Sequence, residues 1–282
     1  MTGFLNVDKR RGDTSAYVVN CVKRLVRPLL GKTPCGHLGT LDPLASGVLP
    51  VGIGNATRLF DYFLEKQKTY TARFRFGATT DTLDSEGEVV LGGRIPNREE
   101  VEAVLCRFTG RIEQIPPKFS ARCIDGKRGY ELARSGKEFE LPSKSVEIFS
   151  IALKEQTAPD EFEFEITCSG GTYIRSLSRD IALALGTQGY TTGLRRTKSG
   201  IFSEKTAVSL DALTPENWRE FLIPTDSVLP FPALEMNDDR YYQGVRFSVE
   251  LADGRYKIYR AGEFYGTGIV EEGILRPEKK LC

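Results

Sequence analysis

The sequence predicts an α+β fold followed by a small all-β segment, and three observations support this. Helical and strand patterns alternate irregularly over residues 1–228, which favours α+β over repeated βαβ units. Prolines punctuate residues 224–232, and beyond them the chain holds only short aromatic strands interrupted by glycine. The composition, 40% hydrophobic and 27% charged over 282 residues, is typical of a globular protein. We therefore expect domains at residues 1–228 and 229–282.

The first element with clear signals is a helix in DTSAYVVNCVKRLVRPLLG. Thr14 or Ser15 is a candidate N-cap, apolar residues recur at helical spacing, and Gly31 follows the last of them. Pro28 should end or kink this helix because proline has no N–H and clashes with the preceding turn.

Three stretches have strand patterns. Residues 47–53 form a short apolar run, and residues 68–77 and 161–168 alternate with period two. The alternation predicts two buried faces, one made of Tyr70, Ala72, Phe74 and Phe76 and the other of Phe162, Phe164, Ile166 and Cys168.

Two further helices are expected, at residues 97–108 and 170–186. Asn97 and Glu100 have the spacing of a capping box, and Gly186 is suited to end the second helix. The apolar stripe of the second helix consists of Ile174, Leu177, Ile181 and Leu185.

The C-terminal segment predicts an all-β module with strands in RYYQGVRFSV, RYKIYRAG and EFYGTGIVEEG. A module of about fifty residues buries too little surface to be stable alone, so it should rest on the main domain.

Composition excludes several classes of protein. The six cysteines include no CxxC pair and the chain has one histidine, which argues against a zinc site and a disulfide framework. No apolar stretch is long enough to span a membrane, and the charged N-terminus does not resemble a signal peptide. We expect a cytoplasmic protein. The net charge of +1 indicates no partner, although basic residues outnumber acidic ones in residues 1–60.

The segment GHLGTLDPLASGVLPVG, residues 36–52, contains the single histidine, His37, and a carboxylate at Asp42. Aspartate before proline commonly starts a turn, so local chemistry alone favours a structural role for Asp42. The glycines of this segment and the apolar strand that follows are also typical of a rigid loop that presents a reactive carboxylate.

Three other segments carry charge. Arg175 lies near the start of its predicted helix, where a cation gains nothing from the helix dipole, so it is either an exposed arginine or paired with an anion elsewhere. LRRTKSGIF offers a phosphate contact through Arg195 and Arg196. FGATTDTLDSEG is a surface loop or a metal loop, and its spacing does not fit the EF-hand pattern.

Residues 36–59, GHLGTLDPLASGVLPVGIGNATRL, strongly resemble the signature of the tRNA pseudouridine-55 synthases, the TruB family. Four later blocks resemble that family in the same order: KTYTARFRFGATTDTLDSEG, QIPPKFSARCIDGKRGYELARSG, CSGGTYIRSLSRDIALALG and LRRTKSGIF. The end of the chain, GTGIVEEGILRPEKKL, resembles the family's PUA-like RNA-binding module. The chain departs from the pattern at Arg10, where proline is usual, and at Arg58 and Arg122, where lysine is usual.

The resemblance implies a pseudouridine synthase catalytic domain, with a mixed and mostly antiparallel sheet flanked by helices, and a PUA-like domain. It also implies a reaction, the isomerisation of uridine 55 in the T-loop of tRNA to pseudouridine. The glycosidic N–C bond breaks, the uracil rotates, and C5 is rejoined to the ribose. The base must first be flipped into a pocket. No metal, nucleotide or redox cofactor is implied.

The resemblance also assigns roles to individual residues. Asp42 matches the catalytic aspartate, which would attack the sugar or the base or remove a ribose proton. Arg175 matches its ion-pair partner, and Tyr70 matches a tyrosine that stacks on the target base and takes part in proton transfer. The residues expected to bind RNA or line the pocket are Lys9, His37, Asp81, Tyr173, Leu194, Arg195 and Arg196.

The expected partner is tRNA, with no obligatory protein partner, and we expect a monomer. Two alternatives remain open. One is the catalytic subunit of an RNA-guided, dyskerin-type H/ACA particle, and the other is a tRNA-binding folding helper without catalysis. The chain lacks long basic tails, which favours an enzyme that acts alone.

Overall fold

The structure is a computed structural model that describes residues 1–64, 66–119, 123–124, 127–128 and 141–282. Within these ranges, no helix has the length and apolar character needed to cross a membrane. The α-helices are α1 (Ser15–Leu30), α2 (Phe60–Leu64), α3 (Arg98–Val104), α4 (Ile174–Ala184) and α5 (Asp239–Tyr242). The strands are β1 (Gly3–Lys9), β2 (Cys35–His37), β3 (Ser46–Ile53), β4 (Lys68–Phe76), β5 (Ala78–Thr80), β6 (Val89–Leu91), β7 (Gly110–Gln114), β8 (Cys123–Ile124), β9 (Lys127–Arg128), β10 (Lys144–Ala158), β11 (Glu161–Cys168), β12 (Gly189–Ser199), β13 (Phe202–Ser203), β14 (Val208–Ser209), β15 (Ile223–Pro224), β16 (Ala233–Glu235), β17 (Phe247–Ser248), β18 (Gly254–Arg260), β19 (Glu263–Glu271) and β20 (Ile274–Lys280).

One large mixed sheet organises the first part of the chain. Its main path runs β14–β1–β3–β12–β4–β11–β10–β7, and three short strands pair off this path, β2 with β3, β13 with β12 and β15 with β1. The β1–β14 and β3–β12 pairs are parallel, and the other neighbours on this path are antiparallel. The predicted α+β class with a mixed, mostly antiparallel sheet is therefore confirmed.

The central strands β4 and β11 each bury one face, as their period-two patterns predicted. The Phe74 and Phe164 rings lie 4.8 Å apart, and apolar residues of α1 and α4 join the same core. The positions predicted to point inward are all buried: Tyr70, Ala72, Phe74, Phe76, Phe162, Phe164, Ile166 and Cys168.

Helix α1 begins as its capping signal predicts, but it ends later than expected. Thr14 is the N-cap, and its hydroxyl accepts a hydrogen bond from the Tyr17 N–H at 3.0 Å. The expected end near Arg27 is wrong, because the helix continues through Pro28 to Leu30 and is capped by Gly31, and the alternative of a kink stays a prediction. A proline in the last turn removes only one hydrogen bond of the ladder, which the packed helix tolerates.

The other two predicted helices are confirmed with their caps. Asn97 accepts a hydrogen bond from the Glu100 N–H at 2.8 Å, and the Glu100 carboxylate accepts one from the Asn97 N–H at 2.9 Å. Gly186 follows α4 with a φ of +70°, a conformation that glycine adopts without strain. The predicted apolar stripe of α4 is buried: Ile174, Leu177, Ile181 and Leu185.

A second, five-stranded sheet is built from residues 233–280 in the order β16–β18–β19–β20–β17. The strand expected over RYYQGVRFSV forms only at Phe247–Ser248, since Asp239–Tyr242 is a helical turn. Asp238 opens that turn because its carboxylate accepts the Arg240 N–H at 2.9 Å. Strand β20 was not predicted, and it carries Pro277. The domain boundary between residues 228 and 229 stays a prediction.

The small sheet is joined to the first part of the chain at its last strand. Leu281 is fully buried in an apolar cluster with Phe4 and Leu38. Nη1 of Arg58 donates to the Lys280 carbonyl oxygen at 3.0 Å. Because Leu38 lies in the Asp42 segment, the end of the chain shares an apolar cluster with that segment.

Candidate active site

The loop that carries Asp42 is fixed by its neighbours. The Ser15 hydroxyl, at the start of α1, donates to the Leu41 carbonyl at 2.8 Å and accepts the Leu41 N–H at 2.9 Å. Gly47 has a φ of +100°, and a Cβ there would lie 2.2 Å from the Arg196 carbonyl oxygen. Only glycine fits this position. The glycines and the turn thus determine where one carboxylate points.

Arg175 lies in the first turn of α4 and reaches the Asp42 loop. Its Nη2 lies 2.8 Å from Oδ2 of Asp42 and donates to the Phe119 carbonyl at 3.0 Å. Its Nη1 donates to the Thr82 carbonyl at 2.9 Å. The guanidinium is 5% exposed and the Asp42 side chain 36% exposed, so the arginine is fixed within the protein while the carboxylate faces outward.

A second carboxylate, Asp84, also pairs with Arg175, through Oδ2 and Nη1 at 3.2 Å. It is buried and accepts hydrogen bonds from the Thr82 hydroxyl at 2.7 Å and the Glu86 N–H at 3.0 Å. Leu83 before it has a φ of +59°, a strained conformation for leucine. The sequence indicated an anionic partner for Arg175 but did not identify Asp84.

A pocket of about 220 Å³ opens beside this ion pair. It contains most of the predicted site: Asp42, Tyr70, Tyr173, Arg175, Leu194 and Arg196. The other lining residues are Gly39, Thr40, Leu41, Lys68, Gly171, Thr172 and Ile174. Strands β4 and β12, helix α4 and the Asp42 loop therefore converge on one concave space. Lys68 was not predicted as a site residue.

Tyr70 combines a core position with a place in the pocket wall. The side chain is 6% exposed, and burial raises the pKa of its phenol to about 12. The hydroxyl is therefore neutral near pH 7, so it can donate a hydrogen bond and present an uncharged ring to a base.

Lys9 and Arg196 were expected to meet phosphates, but the structure turns both inward. Arg196 is 1% exposed and donates to the carbonyls of Val48 at 2.7 Å and Gly39 at 3.1 Å. Lys9 is fully buried, and its ammonium donates to the Asp13 carbonyl at 2.7 Å. Burial lowers the pKa of Lys9 to about 8. Both side chains donate to backbone in or near the Asp42 loop, and the phosphate contacts expected of them stay predictions.

The remaining predicted residues lie outside the pocket. Arg195 forms a bidentate ion pair with Asp8, with both N–O distances at 3.0 Å, and a second ion pair with Glu204. Asp81 is exposed in the loop before Asp84. His37 is half-buried in β2, and burial followed by the charge of Arg196 lowers its pKa.

Arg10 and Arg122 are two of the positions at which the chain departs from the family pattern. Arg10, where proline is usual, forms exposed ion pairs with Asp13 and Asp211 at 3.3 and 2.9 Å. Arg122 and most of the block that begins at Gln114 lie outside the described residues.

The chain matches known proteins over almost its whole length. The model of the TruB family pseudouridylate synthase N-terminal domain matches residues 27–174, and that of the tRNA pseudouridylate synthase B C-terminal domain matches residues 175–230. The tRNA pseudouridine synthase B of Aquifex aeolicus is 39% identical and covers 100% of both chains. The tRNA pseudouridine synthase B of Caulobacter vibrioides is 40% identical over 90% of this chain and 81% of its own.

A solved structure has the same fold. A chain of a Cbf5–Nop10–Gar1 complex superposes with a TM-score of 0.72 at 25% identity, covering 99% of this chain and 85% of that chain. The family models and the named relatives place the chain among the pseudouridine synthases, which are isomerases. This chain belongs to the TruB family of pseudouridylate synthases. The family resemblance and the enzyme class predicted from the sequence are thereby confirmed.

Proposed function

We propose that this enzyme converts uridine 55 in the T-loop of tRNA to pseudouridine, with Asp42 as the catalytic carboxylate and without a metal or cofactor. The observation that supports the proposal is the pairing of Asp42 with Arg175 in the wall of a pocket that Tyr70 and Leu194 also line. The relatives named tRNA pseudouridine synthase B support tRNA as the substrate.

The pocket suits a base that has left its stack. The reacting C1′ and C5 atoms are shielded within a folded RNA loop, so the uridine must be flipped out to react. The Tyr70 ring offers a neutral stacking surface, and Tyr173 and Leu194 close the wall. The half-exposed Asp42 carboxylate would meet the nucleotide at the pocket mouth.

The Arg175 guanidinium orients the Asp42 carboxylate. A guanidinium stays charged at any working pH, and here it is anchored by Asp84 and two carbonyls as well as by Asp42. One Asp42 oxygen is therefore fixed while the side chain keeps an exposed face. Such preorganisation suits a nucleophile and also a base that removes a ribose proton.

Tritium release tests the proposal, because rejoining the base through C5 expels the C5 hydrogen. Wild-type enzyme alone should release tritium from unmodified tRNA labelled at uracil C5, and Asp42→Asn should abolish release while binding persists, since phosphate contacts supply most RNA affinity. Asp160→Asn is the matched control, because Asp160 is 33% exposed and also pairs with an arginine, Arg75.

The outcomes separate the candidates. No release by the wild-type enzyme alone would contradict an enzyme that acts without partners. It would favour the RNA-guided alternative, for which the likeness to Cbf5 in its complex is the supporting observation. Tritium release by the Asp42→Asn variant would show that Asp42 is not the catalytic carboxylate. Binding and refolding of tRNA without any release would favour the folding helper.

The proposal also includes the setting in which the enzyme acts. The partner is tRNA, no protein partner is required, and the enzyme works as a monomer in the cytoplasm. Arg195, Asp81 and His37 remain proposed RNA contacts because each lies outside the pocket with part of its side chain exposed.

A further inference from the structure

Helix α4 begins at the wall of the pocket, with Tyr173 as its N-cap residue. A serine, threonine, aspartate or asparagine usually holds this position and caps the helix with its own side chain. The only side-chain oxygen of tyrosine lies at the far end of the ring, too far from the backbone to do so. Arg175, which pairs with Asp42, lies two positions further on. The position of Arg175 therefore depends on the contacts that fix the backbone where α4 begins.

A side chain of another strand supplies such contacts. Gln114 is the last residue of β7, and its amide forms two hydrogen bonds with the backbone of Tyr173. The Tyr173 N–H donates to Oε1 at 2.8 Å, and Nε2 donates to the Tyr173 carbonyl at 3.0 Å. The same carbonyl accepts the Leu177 N–H at 3.1 Å, within the helix. The Gln114 amide thus pairs with the start of α4 as a neighbouring peptide group would.

Burial makes this pairing costly to lose. The Gln114 side chain is 1% exposed, so water cannot readily replace it as a partner of the Tyr173 backbone. Leaving a buried polar group unsatisfied costs more than one hydrogen bond contributes to stability. Two bonds from one planar amide also fix an orientation as well as a distance. The start of α4 is therefore held firmly with respect to β7.

The residues that follow Gln114 reach the same turn of α4. The Ile115 carbonyl accepts the Ser176 hydroxyl at 2.8 Å, and the Phe119 carbonyl accepts Nη2 of Arg175 at 3.0 Å. These two residues contribute their backbone, whereas Gln114 contributes its side chain. A substitution of Gln114 can therefore remove its own contacts while the neighbouring carbonyls stay available.

We propose that Gln114 is a positioning residue of the active site. Its amide fixes the backbone at Tyr173, and thereby the place of Arg175 and the direction of the Asp42 carboxylate. This rests on the proposed function, in which Asp42 acts from the position that Arg175 gives it. The described lining of the pocket does not include Gln114, so the residue acts through α4 and not on the substrate.

Gln114→Met tests the proposal, because methionine has a similar length and no amide. Asn6→Leu is the matched control. The Asn6 side chain is also 1% exposed, and its Nδ2 donates to the Ser203 carbonyl at 2.8 Å and to the Thr206 hydroxyl at 3.0 Å. The described lining of the pocket includes none of these three residues. Each variant thus loses a buried amide with two hydrogen bonds, but only Gln114→Met changes the start of α4.

Single-turnover tritium release at saturating enzyme, the Kd for tRNA and the midpoint of urea unfolding are measured for both variants. Gln114→Met should release tritium about 10- to 100-fold more slowly than the wild type, because a small displacement of Arg175 misdirects Asp42. Its Kd should stay within about two-fold, since phosphate contacts supply most of the affinity. Asn6→Leu should lower the urea midpoint similarly and keep a rate close to wild type. Equal rates for the two variants, or a Gln114→Met defect confined to Kd, would overturn the proposal.

Hydrogen exchange in the free protein reads the same contact without RNA. The backbone amides of residues 177–180 should exchange faster in Gln114→Met than in the wild type and should be unchanged in Asn6→Leu. Unchanged exchange in Gln114→Met would also overturn the proposal.

A second variant, Gln114→Glu, covers the case in which Gln114→Met does not fold. Glutamate keeps the acceptor for the Tyr173 N–H and loses the donor to its carbonyl, so a smaller fall in the rate is expected, and a wild-type rate would overturn the proposal. A wild-type enzyme that releases no tritium would instead contradict the proposed function, and the exchange result would then decide whether Gln114 holds the start of α4.

Discussion

Two buried arginines contact the Asp42 loop from different elements, and their partners differ. Arg175, from α4, meets two carboxylates, and one of these faces the pocket. Arg196, from β12, meets the carbonyls of Gly39, Thr40 and Val48. A guanidinium paired with carbonyls holds backbone in place, whereas one paired with an exposed carboxylate fixes the direction of that carboxylate. Under the proposed function, the same residue type therefore serves structure in one region and chemistry in the other.

Of the changes to the two arginines, Arg175→Met should give the larger effect on activity. The single-turnover rate of tritium release should fall about 100- to 1,000-fold, because the direction and charge balance of Asp42 are lost. The tRNA Kd should change little, since phosphates supply most of the affinity.

Stability must be separated from chemistry in this variant, because Arg175→Met leaves Asp84 buried without its cation. The double variant Arg175→Met with Asp84→Asn should recover much of the free energy of unfolding, measured in urea, without recovering the rate. Recovery of the rate by the double variant would mean that Arg175 acts only by neutralising Asp84.

Arg196→Met should act mainly on stability. The carbonyls of Gly39, Thr40 and Val48 lose their donor, and the free energy of unfolding should fall by about 3 kcal/mol. We expect the dependence of the tRNA Kd on salt to keep its slope, because the Arg196 guanidinium is buried and its N–H groups donate to backbone carbonyls.

Arg195→Met is the matched comparison from the next position of β12. Its ion pairs with Asp8 and Glu204 are partly exposed, so stability should change little. If Arg195 contacts a phosphate, the salt slope should fall by about one. A reversed result, with Arg196→Met changing the slope and Arg195→Met the stability, would contradict the distinction between the two arginines.

The last expected effect is a pH dependence of stability. The pKa of Lys68 is about 8 in the folded protein and 10.5 without burial. Between pH 8 and 10.5 the Lys68 amine is therefore protonated in the unfolded chain but mostly neutral in the folded protein. Stability should therefore rise with pH from about 8 to 10.5. The free energy of unfolding, measured in urea from pH 8 to 10.5, should rise less in Lys68→Met than in the wild type. Parallel curves for the wild type and the variant would show that Lys68 does not carry it.

The sequence predicted the regular parts of the fold because they depend on neighbours in the chain. Period-two alternation identified the buried faces of β4 and β11, and the Asn97–Glu100 spacing identified a capped helix. Local signals failed where packing outweighed them. Pro28 did not end α1, and an aspartate cap turned the expected strand at residues 240–242 into a helical turn.

The sequence by itself determined the family, the α+β class, and Asp42 and Arg175 as candidates, because these follow from motifs that are contiguous in the chain. The tertiary structure alone decided which charges meet. Asp84 pairs with Arg175 across 91 positions, and Arg196 holds Gly39 across 157. It also turned Lys9 inward and brought Lys68 to the pocket. Electrostatic partners depend on distance and burial in the folded chain, which sequence spacing does not encode.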